Sequence, residues 1–338
     1  MAEVKKEKWI IDCDPGIDDM MAILYMMGHR NCEILMVGTI DGNVHIDLTT
    51  LNMKKILKLA KREIPIHRGS NHPIIKQFNN DEHGYHAQDG LGDIEEIKKF
   101  NANDIQVGKG PSILKYIEYI LDNPGEVNLL LLGPTTNIAA AYMIEPKIVD
   151  YVKSVYIMGG SLRSRGNLNS TSEFNFSYDF IATKLVLDNF KNVIVTPWEP
   201  TENIFFRDEH IEHLTKTIIA NEIKSVNEQV HLFVKLIVAR YTERLSGIAF
   251  CDLYAANTVY NPKCVKKFSL CKFNICVDSR EVCGLLTVKN RIRLDREFSE
   301  LLKSGDLQMK YKGYHLVVEE MDEQKIFDDF EKIITHQN

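Results

Sequence analysis

Short apolar runs alternate with helical patterns along most of this chain, and this alternation constrains the fold more than any other feature. The apolar runs predict buried strands at residues 9–11, 34–40, 127–132, 155–158 and 193–195. Apolar residues at helical spacing predict helices at residues 20–27, 51–60, 113–121, 138–144 and 182–187. Strands that alternate with helices are typical of an α/β fold with an open, mostly parallel sheet and helices on both faces.

The rest of the chain adds a helical insertion and a mixed tail. Residues 208–244 are predicted to be mostly helical, residues 265–288 to form two or three strands, and residues 295–302 and 324–334 to form helices. A chain of 338 residues can form one large domain or two ordinary ones. Because no linker, repeat or low-complexity segment interrupts the pattern, we predict a single domain over residues 1–338.

Charge and cysteine content exclude several classes of partner. The net charge is -6 and no long basic run is present, so nucleic acid is not expected as a partner. No apolar stretch approaches the length of a membrane span, and no targeting pattern is visible. The seven cysteines are scattered without a CxxC pair, which argues against a disulfide framework or a zinc site. These features favour a cytoplasmic protein without membrane contact.

Polar residues cluster where the predicted strands end. The polar segments that follow strands are residues 12–19, 41–43, 133–137 and 159–175. In open α/β sheets the ligand crevice lies beyond the carboxyl ends of the strands. An active site is therefore predicted at that edge of the sheet.

The first of these segments is unusually acidic, with Asp12, Asp14, Asp18 and Asp19 inside eight residues. On a strand Asp12 and Asp14 share one face, because side chains repeat every second residue, and the Pro-Gly turn brings the other two back toward it. Carboxylates gathered at one point repel each other unless a cation lies among them, and hard divalent cations prefer oxygen ligands. The segment predicts a calcium or magnesium site. Capping of the following helix by Asp18 and Asp19 is the alternative, and it would explain two carboxylates but not four.

A second enzyme class also begins with an apolar strand that ends in Asp-x-Asp. Phosphatases of the haloacid-dehalogenase type use the first aspartate as a nucleophile beside magnesium. In this chain Pro15 follows Asp14, where that class has a small hydroxyl residue or glycine, and no convincing later acidic pair follows. The phosphatase interpretation is therefore disfavoured.

The acidic octet Asp-Cys-Asp-Pro-Gly-Ile-Asp-Asp resembles the N-terminal signature of the inosine-uridine-preferring nucleoside hydrolase family. Further segments resemble that family's motifs in the same order, at residues 42–44, 83–84 with 89–92, 133–139, 158–160, 166–167, 173–175 and 251–252 with 255–256. His83 opens the second of these motifs, and residues 85–88 lengthen its middle relative to the family. The resemblance covers about residues 8–262 and implies the Rossmann-like nucleoside hydrolase fold.

The resemblance also implies a calcium site and a ribose pocket. Ca²⁺ would be bound by the carboxylates of Asp14, Asp19 and Asp252 and by the backbone carbonyl of Leu132, with ribose hydroxyls and water completing the shell. The substrate-binding residues would be Asp18, Asn43, Met158, Asn167, Glu173, Phe174 and Asn175. Of these, Phe174 is a candidate for the base pocket, and aromatic residues more often fill cores.

Such a site suits hydrolysis of the N-glycosidic bond of ribonucleosides, inosine and uridine among them. Asp14 would act as general base toward a metal-held water. The residue that assists the leaving base is open. Cys251 stands where family branches have histidine or tryptophan, and it is also the kind of cysteine that simply fills a buried space. His83 and His86 are alternatives that could equally be surface residues.

Other residues and properties remain open at this point. Trp198 could reach the crevice or fill the core, and Tyr241 and Arg244 could touch the base. A nucleoside sensor without turnover is the second functional hypothesis, motivated by Cys251 and opposed by the retained Asp14. The resemblance implies a homodimer or homotetramer and a role in nucleoside salvage, and it leaves the base preference open.

Overall fold

One sheet organises the fold. The computed structural model describes residues 5–75, 85–163, 165–202, 204, 206, 209–210, 212–213, 249–278, 282–304 and 310–335, and nine strands in these ranges join the sheet. The strands are β1 (Glu7–Cys13), β2 (Cys32–Thr39), β3 (Ile66–Arg68), β4 (Val127–Leu131), β5 (Val152–Met158), β6 (Val193–Thr196), β7 (Val265–Ile275), β8 (Leu286–Arg293) and β9 (His315–Met321).

The strand order puts a crevice at the middle of the sheet. The order is β3-β2-β1-β4-β5-β6-β9-β7-β8. Every pair from β3 to β9 in that order is parallel, whereas β7 runs antiparallel to both of its neighbours. The prediction of a mostly parallel sheet is confirmed. Because the chain winds outward in both directions from β1 and β4, the carboxyl ends of these two strands form the switch point where ligands bind in such sheets.

Helices cover both faces of the sheet, as predicted. They are α1 (Ile17–Gly28), α2 (Ile46–Ala60), α3 (Glu95–Lys98), α4 (Ser112–Asp122), α5 (Thr136–Ile144), α6 (Ile148–Tyr151), α7 (Phe174–Tyr178), α8 (Phe180–Asn189), α9 (Trp198–Thr201), α10 (Cys251–Tyr260), α11 (Phe298–Ser304) and α12 (Glu323–Thr335). Side chains of β1 alternate between two cores: Trp9 and Ile11 pack in the core that includes α1 and α10, and Ile10 packs in the core that includes α4 and α5.

Two strands were not anticipated from the sequence. β9 pairs with both β6 and β7. Its buried apolar run, residues 316–318, is short and is followed by Glu319 and Glu320, which interrupt the apolar pattern in the sequence. β3 has only three residues, too few for a periodic signal. The predicted helical insertion at 208–244 falls outside the described residues except for 209–210 and 212–213. That the whole chain is one domain stays a prediction.

The helices do not provide a membrane span. In the described ranges, no helix is both long enough and apolar enough to cross a bilayer.

Candidate active site

The acidic segment leaves β1 and opens α1 at the switch point. Asp18 and Asp19 occupy the first turn of α1, where the helix dipole favours negative charge. Asp19 Oδ2 accepts a hydrogen bond from the Gly16 backbone N–H at 2.9 Å. Asp19 thus caps the helix with one oxygen, while its other oxygen remains available.

A third aspartate joins these two from a distant part of the chain. Asp252 lies in the first turn of α10, which packs against α1. One carboxylate oxygen each of Asp18, Asp19 and Asp252 lies within 4.8 Å of the others. This arrangement makes the three carboxylates a possible cation site, and it includes Asp18, which the sequence prediction assigned to ribose.

Asp14 is held beside this group by backbone and glycine contacts. Its Oδ2 accepts a hydrogen bond from the Asn43 backbone N–H at 2.7 Å, and Asn43 Nδ2 donates to Asp19 Oδ2 at 3.2 Å. A Cβ atom at Gly42 would lie 2.0 Å from Asp14 Oδ2, and one at Gly133 would lie 2.5 Å from Oδ1. Both positions require glycine because the carboxylate occupies the space of a side chain.

Unpartnered oxygens and raised pKa values indicate that the group of Asp14, Asp18, Asp19 and Asp252 needs a positive charge. The Oδ1 atoms of Asp14, Asp18 and Asp19 are buried and accept no hydrogen bond from the described residues. Burial raises the pKa of Asp18 and of Asp19 to about 6, and the charge of Asp18 adds to the rise at Asp19. Burial, followed by the charges of neighbouring aspartates, raises the pKa of Asp14 and of Asp252 well above the usual range. A cation among these oxygens would offset the free-energy cost of burying the ionised carboxylates. The oxygen-only donor set fits calcium or magnesium.

Asp12 does not belong to this group, which corrects the expectation that it shares a face with Asp14. Asp12 Oδ1 accepts a hydrogen bond from Asn137 Nδ2 at 2.9 Å, and burial raises the pKa of Asp12 to about 7. β1 ends at Cys13, so the two-residue alternation of a strand does not continue to Asp14.

Glu173 and Asn175 form the opposite part of the site. Glu173 Oε2 accepts hydrogen bonds from the backbone N–H groups of Gly160 at 2.7 Å and Phe176 at 3.1 Å, and Oε1 accepts one from Asn175 at 2.8 Å. Burial raises the pKa of Glu173 to about 7, and these three donors limit the rise. Asn175 Nδ2 donates to the Leu132 carbonyl at 2.7 Å. The carbonyl predicted as a metal ligand therefore faces the site beside Asn175.

A cavity of about 250 Å³ connects the two parts. It is lined by Asp18, Asn43, Tyr85, His86, Leu132, Met158, Asn167, Glu173, Phe174, Asn175, Trp198, Cys251 and Asp252. The structure thus brings together all the predicted site residues that it describes, with Asp14 and Asp19 bonded to the lining residue Asn43. His83, Tyr241 and Arg244 lie outside the described residues.

His86 is the histidine that reaches this cavity. Its Nδ1 accepts a hydrogen bond from the Ile17 backbone N–H at 3.1 Å, so in the neutral ring the proton is on Nε2, which lies 3.7 Å from Asp18 Oδ1. The sequence contained a signal for this residue: read from His86, the motif His-x-x-Asp-Gly-Leu-Gly runs through Gly92 at the family spacing with no insertion.

Cys251 is hydrogen-bonded to the short helix α9, which also carries Trp198. Cys251 Sγ donates to Thr201 Oγ1 at 3.3 Å, and burial raises the pKa of the Cys251 thiol well above its usual range. The thiol stays protonated and its proton is donated to Thr201. Trp198, on the same helix α9 as Thr201, lines the cavity.

Comparison with known proteins assigns the family. The family described as inosine-uridine preferring nucleoside hydrolase matches residues 9–328. The chain belongs to this family. The inosine-uridine preferring nucleoside hydrolase of Leishmania major is 29% identical over 238 residues, which are 70% of this chain and 71% of that protein. Uridine nucleosidase 1 of Arabidopsis thaliana is 32% identical over 212 residues, 62% of each chain.

Solved structures of this kind share the fold along the whole chain. The purine-preferring ribonucleoside hydrolase from Gardnerella vaginalis superposes with a TM-score of 0.79 at 21% identity, covering 97% of this chain and 98% of that one. A plant nucleoside hydrolase gives the same TM-score at 22% identity over 98% and 99% of the two chains. Family membership makes the present chain an N-ribosyl hydrolase.

Proposed function

We propose that this protein hydrolyses the N-glycosidic bond of ribonucleosides, inosine and uridine among them, with Ca²⁺ as its cofactor. One observation carries the proposal. Three buried carboxylate oxygens, on Asp14, Asp18 and Asp19, have no hydrogen-bond partner among the described residues and belong to a group beside a cavity. Burying unpaired carboxylates costs several kcal/mol, roughly, unless a ligand offsets the cost, and a cation that also binds ribose is such a ligand.

The proposed metal ligands are the carboxylates of Asp14, Asp19 and Asp252 and the carbonyl of Leu132. When bound, Ca²⁺ would supply positive charge that orders the ribose hydroxyls and lowers the pKa of a water molecule. Asp18 lies close enough to the same oxygens to contribute, since its carboxylate is within 4.8 Å of those of Asp19 and Asp252.

Asp14 is the proposed general base. Water attacks the anomeric carbon of the ribose, the carbon–nitrogen bond to the base breaks, and Asp14 accepts the proton of the water. Oδ1 is the atom suited to this, because Oδ2 already accepts the Asn43 N–H, whereas Oδ1 accepts no hydrogen bond within the described ranges. Gly42 and Gly133 leave room for the Asp14 carboxylate, beside Oδ2 and Oδ1 respectively, and a base held in place beside the water contributes a proximity gain.

The remaining polar lining is proposed to bind ribose. Asp18, Asn43, Met158, Asn167, Glu173 and Asn175 line the same cavity. Positive charge develops on the ribose ring as the bond breaks, and carboxylates held by fixed hydrogen bonds stabilise it without reorganising. Glu173 fits this role because three backbone donors fix its orientation.

On the leaving-base side we propose Phe174 as a wall of the base pocket and His86 as the hydrogen-bond donor. The bond from Ile17 N–H to Nδ1 leaves the proton of His86 on Nε2, which lies 3.7 Å from Asp18 Oδ1, and His86 lines the cavity. Cys251 is less suited, because its thiol donates to Thr201. His83 stays an alternative to His86.

Release of free base tests the proposal. The purified protein is incubated with inosine, uridine, cytidine, adenosine and guanosine, with and without a chelator, and base and ribose are quantified. We expect cleavage of inosine or uridine that is lost in chelator and restored by Ca²⁺. Cleavage that persists in chelator would contradict the metal role, and phosphate release from a generic phosphomonoester in Mg²⁺ would favour the phosphatase. Tight ribose binding with no cleavage would identify a sensor.

A homodimer or homotetramer, a cytoplasmic location and a role in nucleoside salvage are further parts of this proposal. Light scattering after size-exclusion chromatography measures the assembly directly, and a monomer would contradict it.

A further inference from the structure

A buried acid next to the cavity-lining Trp198 has no part in the chemistry proposed above. Glu199 lies in the short helix α9, between Trp198, which lines the cavity, and Thr201, which bonds to Cys251. The helix is fixed to the end of β5, since the Trp198 backbone N–H donates to the Gly160 carbonyl at 2.9 Å. Glu199 is only 4% exposed. A carboxylate buried here requires hydrogen-bonding partners.

Those partners belong to one loop. Glu199 Oε1 accepts hydrogen bonds from Ser161 Oγ at 2.9 Å and from the Arg163 backbone N–H at 2.5 Å. Ser161 Oγ in turn accepts the backbone N–H of Arg165 at 3.1 Å. One carboxylate oxygen therefore holds the start of the loop, at Ser161 and Arg163 directly and at Arg165 through Ser161. Hydrogen bonds to an ionised acceptor are stronger than neutral ones, which favours Glu at this position.

The same loop leads to Asn167, a proposed ribose ligand. Asn167 is exposed at the cavity, and its Oδ1 accepts the Phe174 backbone N–H at 2.7 Å. Gly166 allows the chain to fold tightly here, because a Cβ atom at that position would lie 2.1 Å from the Ser172 carbonyl. Asn167 belongs to no helix or strand. Its position depends on the bond from Phe174, on the backbone bonds of its neighbours Gly166 and Leu168 to Ser170 and Ser172, and on how the start of the loop is held.

We infer that Glu199 is a positioning residue, which holds Ser161 and Arg163, and through Ser161 also Arg165, against helix α9 and thereby places Asn167 at the ribose end of the cavity. Stability does not account for it, because Glu199 Oε2 is buried and accepts no hydrogen bond from the described residues, which costs free energy. Glu173 holds the neighbouring Gly160 in the same way from the far end of the loop. Two buried acids therefore hold the start of the loop, Glu199 from helix α9 and Glu173 from the far end of the loop. The kinetic part of this inference rests on the proposed function, and the part about loop order does not.

Hydrogen exchange tests the loop directly. Glu199→Ala removes the acceptor of the Arg163 amide, so peptides covering residues 161–167 are expected to exchange about tenfold faster than in the wild type. Peptides from α4 should be unchanged. Glu118→Ala, the same substitution on the exposed face of α4, is the matched control. It should leave the exchange rate of residues 161–167 unchanged. Unchanged exchange of residues 161–167 in Glu199→Ala would overturn the inference, whether or not the protein cleaves nucleosides.

Steady-state kinetics tests the link to Asn167. Glu199→Ala is expected to raise KM for inosine about tenfold with kcat nearly unchanged, and Glu199→Gln, which keeps an acceptor, should recover most of the loss. Ser161→Ala, which leaves the acid in place, should have a smaller effect of the same kind. In an Asn167→Ala background, Glu199→Ala should change KM less than about twofold, because both substitutions remove the same contact.

A result that contradicts the link between Glu199 and Asn167 can be distinguished from a failure of the proposed function. Fully additive effects of the two substitutions, or a fall in kcat at constant KM, would show that Glu199 does not act through Asn167. If the wild type releases no base from inosine, the proposed function has failed, and the exchange measurement still decides whether Glu199 holds the loop.

Discussion

Removing one charge from the acidic group should stabilise the metal-free protein and destabilise the calcium-bound one. Asp19→Asn is the most informative change, because asparagine can keep both hydrogen bonds that Asp19 Oδ2 accepts, from Gly16 N–H and Asn43 Nδ2. The new amide nitrogen would replace Oδ1, which is buried and accepts no hydrogen bond from the described residues. Only the charge is lost.

The structure gives the size of the effect. The pKa of Asp19 is raised to about 6, against about 3.9 for an unfolded chain, and this difference corresponds to about 3 kcal/mol. Two full charges at the outer limit of this group, 4.8 Å apart, would repel by about 3 kcal/mol at an effective dielectric constant of about 20. A raised carboxylate pKa means that the native state holds the proton more tightly than the unfolded state does. The ionised group therefore destabilises the fold, with no cost below about pH 4 and the full cost above about pH 6.

Thermal unfolding in chelator measures this. At pH 8, Asp19→Asn should melt higher than the wild type by an amount on the order of 5 °C, and the difference should vanish as the pH approaches 4. Asp122→Asn, an exposed aspartate at the end of α4, is the matched control and should not change the melting temperature. In millimolar Ca²⁺ the wild type should have the higher melting temperature. The variant has lost a proposed metal ligand, so Ca²⁺ binding stabilises it less. A variant no more stable than the wild type in chelator at pH 8 would refute the reasoning.

Four further predictions concern turnover of inosine. Asp14→Asn should lower kcat by about 10²–10⁴-fold while the fold is retained, as judged by circular dichroism, because the general base is lost. Gly42→Ala should lower kcat by roughly 10²-fold, since its Cβ would lie 2.0 Å from Asp14 Oδ2 and displace it; normal kcat would contradict the proposed placement. Asn167→Ala should raise KM about tenfold with the fold retained, because one hydrogen bond to ribose is lost. His86→Ala should lower kcat by about 10²-fold and His83→Ala should leave it near the wild-type value; the reverse result would assign the leaving-group role to His83.

Local patterns were sufficient to predict most helices and strands of the described chain. The apolar run at residues 127–132 became β4, and the helical spacing at residues 113–121 became α4. These predictions hold because side-chain periodicity is a property of neighbours in sequence. β9 was missed for the same reason: Glu319 and Glu320 break the apolar pattern, although the strand has a sheet neighbour on each side.

The candidate site could also be predicted only in part from the sequence. The order of residues in the octet, with a Pro-Gly turn between acidic residues, was enough to predict that Asp14, Asp18 and Asp19 would gather at a strand end. Family resemblance added Asp252. That Asp252 lies within 4.8 Å of Asp18 and Asp19, however, follows from the packing of α10 against α1.

The sequence by itself determined the α/β architecture, the acidic turn after β1 and the edge of the sheet where a site forms. Only the tertiary structure decided that Asp12 bonds to Asn137, that His86 lies in the cavity and that Glu199 holds the loop before Asn167. The physical reason is the range of the forces involved. Turns and periodic patterns depend on residues a few positions apart, whereas each of these contacts joins segments that meet only after the sheet has assembled and its helices have packed.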